Sequence, residues 1–186
     1  LAIYPNIHEK KPWQAPATAM RMATKMHEAL AMNTNLVDCY LWREDWLMEP
    51  RKKKAGIMIS LEGGEALGHS IARLEDFFAL GVRSIGLTWN YANDLAGGAQ
   101  EEAPLTQFGC TVVKRAEQLG MAVDLAHICR QAFFQVLEMA QRPPLVSHAA
   151  CYTLYAHPRN LTDQQIKAIG ERNGMIGIAF YPPFLT

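Results

Sequence analysis

Three side chains that could bind a metal ion each stand at the end of a run of apolar residues. Glu62 follows AGIMISL, His127 ends MAVDLAH and His148 ends PPLVSH. Such runs are typical of parallel strands buried on both faces. Because functional groups of parallel α/β folds lie at the carboxyl ends of strands, we expect the three side chains to meet at one edge of a sheet.

Two imidazoles and one carboxylate form a ligand set typical of catalytic zinc, with a fourth position left for water. Zinc lowers the pKa of that water to about 7, so the site predicts hydrolysis of amide or ester bonds by a metal-bound hydroxide. Taken singly, His127 could be a half-buried structural histidine, and Glu62 could cap the next helix. The coincidence of all three favours the metal site. We interpret the remaining histidines as surface residues: His8, His27, His69 and His157.

Composition limits the classes of protein that remain. The chain has 186 residues, 49% of them apolar, and a formal net charge of zero, which predicts a single domain over residues 1–186 and no nucleic-acid partner. No apolar run approaches the ~20 residues of a membrane span. The four cysteines are scattered without a CxxC pair and are predicted to be reduced thiols, which favours a cytoplasmic location. The N-terminal residue, Leu1, is not informative about a leader.

Strand-like and helix-like segments alternate along the chain. We predict strands at residues 1–4, 55–62, 82–88, 121–127, 143–148 and 175–180. We predict helices at residues 16–32, 65–80, 105–119 and 129–141. A further helix is predicted to start near Thr162, whose spacing to Gln165 matches a capping box. Gly81 and Gly120 are predicted to end two of the helices. Residues 34–50, with Trp42 and Trp46, indicate a short turn or helix.

This order indicates βαβ units and leaves two architectures open, a doubly wound sheet and a (β/α)₈ TIM barrel. Ligand-type residues at the ends of several strands favour the barrel. A dinucleotide-binding sheet would need a G-x-G-x-x-G turn, which the sequence lacks.

The sequence also resembles the membrane dipeptidase family, peptidase family M19. The stretches that carry the resemblance follow one another from residue 55 to the end: SLEGGEALG, GVRSIGLTWNYANDLAGG, LTQFGCTVVKRAEQLGMAVDLAH, PPLVSHAACYTLYAHPRNLTD and NGMIGIAFYPPF. The resemblance implies a binuclear zinc dipeptidase on a barrel of the metal-dependent hydrolase type. It implies that Glu62 bridges two zinc ions, that His127 and His148 complete the shell of one of them, and that Arg159 holds the free carboxylate of a dipeptide substrate.

Three departures from the family pattern qualify that expectation. The early His-x-Asp motif is absent, and no eighth strand with a ligating aspartate follows residue 180. The family motif LTH reads LTW, so Trp89 stands in place of a catalytic histidine, and Asn90 is a candidate substitute.

We therefore expect about six of eight βα units, belonging to a longer gene product. We also expect about one bound zinc ion instead of two, and little or no peptidase activity from the chain alone. Two alternatives remain, namely another metallohydrolase of the same barrel type and a catalytically inactive remnant. The sequence leaves open whether the chain forms a homodimer.

Overall fold

The computed structural model describes residues 1–5, 14–47 and 54–185, and His8 lies outside them. The strands are β1 (Ala2–Ile3), β2 (Val37–Cys39), β3 (Ala55–Ile57), β4 (Ile59–Glu62), β5 (Val82–Gly86), β6 (Ala122–Asp124), β7 (Leu145–Ala149) and β8 (Met175–Ile178). The α-helices are α1 (Ala15–Met32), α2 (Arg43–Leu47), α3 (Ile71–Ala79), α4 (Gln107–Leu119), α5 (Arg130–Met139) and α6 (Asp163–Glu171).

Six strands form one parallel sheet in the order β1-β4-β5-β6-β7-β8. After β1, each strand pairs with the one that follows it in this sheet, and the order never reverses. A doubly wound sheet needs such a reversal, whereas a barrel does not. The topology is therefore that of part of a barrel, with β1 and β8 at the two ends of the described strands.

The run predicted as one strand over residues 55–62 is in fact two. β3 pairs with β2 in a separate two-stranded parallel sheet, and β4 joins the main sheet between β1 and β5. An ion pair between Lys54 and Asp38, with 3.1 Å between Nζ and Oδ1, lies beside the small sheet. Because both pieces are apolar, their pattern in the sequence does not reveal where the pairing partner changes.

The helix predicted over residues 65–80 is also divided. A 3₁₀ turn covers Gly64–Leu67, and α3 begins at Ile71. Between them, Gly68 and His69 have φ values of 50° and 57°. Two consecutive residues in the left-handed region cannot belong to an α-helix, which explains the break.

Three other sequence predictions, on a capping box, two glycines and the cysteines, are confirmed. Thr162 and Gln165 form a capping box at the start of α6. Gly81 and Gly120, with φ of 92° and 83°, follow α3 and α4. The four cysteines are free thiols. Among the described residues, no helix combines the length and the apolar character needed to cross a membrane.

The core lies between the sheet and the helices that cover it. Its buried members include residues of four neighbouring strands and of four helices: Leu61, Ile85, Val123, Val146, Leu74, Phe77, Val112, Val113, Ala132, Phe133 and Ile169. This packing holds the carboxyl ends of the strands at one edge of the sheet. Glu62 and His148 lie at that edge.

Candidate metal centre

Glu62, His127 and His148 meet at the carboxyl edge of the sheet, and one ligand atom from each lies within 4.8 Å of the other two. The His127 Nε2 atom is 2.9 Å from His148 Nε2 and 3.1 Å from Glu62 Oε1, and the third distance, His148 Nε2 to Glu62 Oε1, is 3.8 Å. In a tetrahedral zinc site with bonds of about 2.0–2.1 Å, ligand atoms stand about 3.3 Å apart. The three atoms therefore have the spacing that a single zinc ion needs.

Glu62 is the last residue of β4, and the backbone turns sharply behind it. Gly63 has φ of 100°, a conformation that residues with a Cβ rarely adopt. The residue paired with Glu62 on β5 is Gly86, which has no side chain to cover the carboxylate. The carboxylate is thus held at the strand end with space beside it.

His127 does not end a strand, contrary to the sequence prediction. β6 ends three residues earlier at Asp124, and His127 lies in the following turn with φ of 69°. Positive φ is uncommon for residues other than glycine and is concentrated at functional sites. His148, by contrast, lies within β7, as the sequence predicts.

Each histidine has a second hydrogen-bond partner at its Nδ1 atom. Asn90 Oδ1 lies 2.9 Å from His127 Nδ1, and Ser147 Oγ lies 2.8 Å from His148 Nδ1. Because an amide oxygen only accepts, His127 Nδ1 carries the proton and its Nε2 lone pair faces Glu62 and His148. Metal-binding histidines commonly have such a partner, which fixes the tautomer and the ring orientation.

We expect Asn90→Leu to weaken zinc binding about 10–100-fold, because the apolar side chain removes the acceptor at His127 Nδ1. Asn90→Asp keeps an acceptor and should stay close to the wild type. The dissociation constants can be measured by competition with a chromogenic chelator. Equal affinities of the wild type and Asn90→Leu would contradict this role of Asn90.

The protonation equilibria of the cluster favour metal-binding forms. Burial lowers the pKa of His127 to about 4, against the opposing effect of Glu62. Burial and the charge of Arg159 lower the pKa of His148. The hydrogen bond that protonated His127 gives to Glu62 lowers the pKa of that carboxyl, although burial opposes the shift. At neutral pH the site therefore holds one carboxylate and two neutral imidazoles.

The metal-free chain should lose stability as the pH falls from about 6.5 to about 4. The unfolded chain takes up a proton at His127 near the ordinary histidine pKa of about 6.5, whereas the folded chain does so only near 4. The contribution is therefore complete above pH 6.5 and declines below it, and His148 acts in the same direction. Urea unfolding at pH 7.5 and 4.5 measures the loss, which should be smaller in His127→Gln; an identical loss in both proteins would refute the assignment.

Arg159 lies at the same edge of the sheet and is only 5% exposed. Its Nη2 donates to the His148 carbonyl oxygen at 3.1 Å, while its buried Nε has no hydrogen-bond partner among the described residues. Burial lowers the pKa of the guanidinium to about 10, and the charges of Asp124 and Glu62 oppose that shift. It still carries a full positive charge at neutral pH.

A cleft of about 690 Å³ connects these groups, and its volume is within the range of small-molecule sites. Its lining includes Glu62, His127, His148 and Arg159, together with apolar and aromatic residues from the end of β8 onwards: Ile178, Ala179, Phe180, Tyr181, Pro183 and Phe184. The sequence prediction of the site did not include these C-terminal residues, although the aromatic run FYPPF was a signal for them.

Trp89 and His157 also line this cleft. The Trp89 ring stacks on His127, with centroids 5.7 Å apart and 28° between planes. His157 was predicted to be a surface residue, and this is wrong. It is partly buried, and its Nδ1 accepts a hydrogen bond from the Arg159 backbone N–H at 3.1 Å. Its position two residues before Arg159 was the available signal. His27 and His69 are exposed, as predicted.

A family model described as membrane dipeptidase (peptidase family M19) matches residues 2–186. An uncharacterized protein of Acinetobacter calcoaceticus is 34% identical over 142 residues, which cover 72% of this chain and 45% of that protein. An uncharacterized dipeptidase of Schizosaccharomyces pombe is 30% identical over 138 residues, or 71% of this chain and 33% of that protein. This chain thus spans less than half the length of these two relatives.

The fold is similar to that of a metallo peptidase from Rhodobacter sphaeroides that was solved with a phosphinate mimic of the dipeptide L-Ala-D-Ala. The TM-score is 0.86, the identity is 26%, and the match covers 94% of this chain and 52% of the other. These findings confirm the predicted fold class, part of a TIM barrel of the metal-dependent hydrolase type. By its fold and by the match along nearly its whole length, the chain belongs to the membrane dipeptidase family, peptidase family M19.

Proposed function

We propose that this chain carries part of the active site of a zinc-dependent dipeptidase. Glu62, His127 and His148 would hold zinc, and Arg159 would bind the free carboxylate of a dipeptide. The observation that supports the proposal is the convergence of three ligand atoms within 4.8 Å, in the same cleft as a buried arginine. The family and the dipeptide mimic bound to the Rhodobacter relative point to the same reaction class.

The donor set fits zinc, because two imidazole nitrogens and a carboxylate oxygen are its usual ligands in hydrolases. When bound, zinc acidifies a water ligand so that a nucleophile is available at neutral pH. Within the residues that the structure describes, one group of three such ligands is present. We therefore propose about one zinc ion for this chain, whereas the resemblance to the family implies two in a complete enzyme.

The remaining residues would bind and orient the substrate. The Arg159 guanidinium can bond both oxygens of a carboxylate, and its unpaired Nε adds a buried donor. Anchoring of that carboxylate would restrict substrates to dipeptides, because a longer peptide has no carboxylate at the same distance from the metal. Trp89 stands at the position of the family histidine and Asn90 is the candidate substitute, and we propose that their side-chain N–H groups face the reacting carbonyl.

Titration of the zinc-loaded chain with a phosphinate dipeptide mimic tests this function. We expect the free acid to bind at least ~10-fold more tightly than its C-terminal amide, because the amide lacks the charge that pairs with Arg159. Removal of zinc with a chelator should weaken the binding of both the free acid and the amide. Equal binding of acid and amide, or binding that does not depend on zinc, would argue against a dipeptidase.

A hydrolysis assay separates the alternatives. A panel of dipeptides, cyclic amides and phosphoesters should show any zinc-dependent turnover on dipeptides alone, at a low rate for this chain by itself. Turnover confined to cyclic amides or phosphoesters would favour another metallohydrolase. A cytoplasmic location stays a prediction from the sequence.

A further inference from the structure

β6 and β7, which lead to the two histidines, part from each other just before the metal centre. Their ladder contains one registered pair, Asp124 with Leu145, and the Leu125 N–H donates to the Leu145 carbonyl oxygen at 2.8 Å. Beyond that point β6 has ended, whereas β7 continues to Ala149. The backbone ladder therefore stops before the residues whose relative positions matter most.

The side chain of Asp124 bridges the two segments beyond the ladder. Its Oδ1 atom accepts hydrogen bonds from the Ala126 N–H at 3.0 Å and from the Ser147 N–H at 2.9 Å. Ala126 directly precedes His127, and Ser147 directly precedes His148. One carboxylate oxygen thus binds both backbone segments that carry the histidines.

The environment of Asp124 strengthens this bridge. The residue is only 5% exposed, so solvent competes little for its oxygen atoms. Hydrogen bonds from N–H groups to an ionised carboxylate are shorter and stronger than those between neutral groups. The charge of Asp124 also acts to raise the pKa of buried Arg159, whose Nη2 donates to the His148 carbonyl.

We propose that Asp124 is a positioning residue, which sets the separation of His127 and His148 and thereby the affinity of the site for zinc. The inference rests on the proposed metal centre. Asp124 is not part of the ligand group itself, and it acts through the backbone next to each ligand. Metal sites need their ligands held to within about 0.5 Å, so loosening either segment should reduce binding.

The test compares three substitutions in the metal-free chain and after titration with Zn²⁺ and Co²⁺. Asp124→Ala removes the bridge, and Asp124→Leu does so with a side chain that keeps the branch at Cγ if the alanine variant does not fold. Asp124→Asn retains an oxygen that can accept both hydrogen bonds. Asp76→Ala is the matched control, because it removes an exposed carboxylate from α3.

We expect Asp124→Ala and Asp124→Leu to bind zinc about 10–100-fold more weakly and to change the visible absorption of bound Co²⁺, which reports ligand geometry. Asp124→Asn should restore most of the affinity and the wild-type spectrum, and Asp76→Ala should match the wild type. A purely structural role would lower the melting temperature without altering the Co²⁺ spectrum. Unchanged affinity without the bridge, or equal losses in Asp124→Asn and Asp124→Ala, would overturn the proposal.

Imidazole ¹⁵N NMR of the metal-free chain separates this inference from the proposed function. The 2.9 Å contact between His127 Nε2 and His148 Nε2 should be detectable in the wild type and in Asp124→Asn, and lost in Asp124→Ala. If the wild type binds no zinc but the contact follows this pattern, the proposed function fails and the positioning role stands. If the contact survives in Asp124→Ala, the positioning role fails.

Discussion

His148→Ala is expected to reduce zinc binding by the chain more than about 100-fold. Loss of a residue that merely orients a ligand costs about 10–100-fold, and loss of a ligand should cost more. His148 supplies one of three ligand atoms within 4.8 Å, and no other group of this kind occurs in the part of the chain that the structure describes. Metal analysis after gel filtration should find about one zinc ion per wild-type chain and almost none in the variant.

His27→Ala is the control, because it removes an exposed histidine from α1. It should bind zinc as the wild type does. Two tightly held zinc ions in the wild type would contradict the proposed stoichiometry. A wild type that binds no better than His148→Ala would instead support the inactive remnant.

Arg159→Ala is expected to weaken binding of a dipeptide mimic about 10–100-fold, and to raise KM by a similar factor where turnover is measurable. Hydrogen bonds to a charged group contribute about 1.5–3 kcal/mol each, and the loss of one such bond gives about this range. Arg159→Lys should recover only part of the affinity, because an ammonium group cannot bond both carboxylate oxygens in the planar geometry of a guanidinium. Isothermal titration with the free acid and the C-terminal amide measures the effect.

Two controls make the result specific to the substrate. Arg21→Ala removes an exposed arginine of α1 and should leave binding unchanged. Zinc affinity must be measured for each variant, since Arg159 also donates to the His148 carbonyl oxygen. If the mimic binds Arg159→Ala as tightly as the wild type while zinc is retained, Arg159 does not hold the carboxylate.

The sequence correctly predicted those helix ends that depend only on residues close together in the chain. The capping box at Thr162 and the glycines after α3 and α4 follow from local geometry, and all are present. Predictions of strand boundaries failed where the backbone changed its pairing strand, or turned, inside an apolar run. The division of β3 from β4, and the turn that places His127 beyond the end of β6, are two such cases.

The sequence by itself determined the alternation of strands and helices, the parallel sheet, and the types and order of the ligand side chains at its carboxyl edge. These depend on apolar runs, helical spacing and residue chemistry, which are properties of neighbouring residues. Tertiary structure alone decided that Asp124 bridges the two histidine segments and that His157 packs against Phe184 in the cleft. Those contacts depend on how strands separate and loops return to the sheet, and this depends on the packing of residues far apart in the chain.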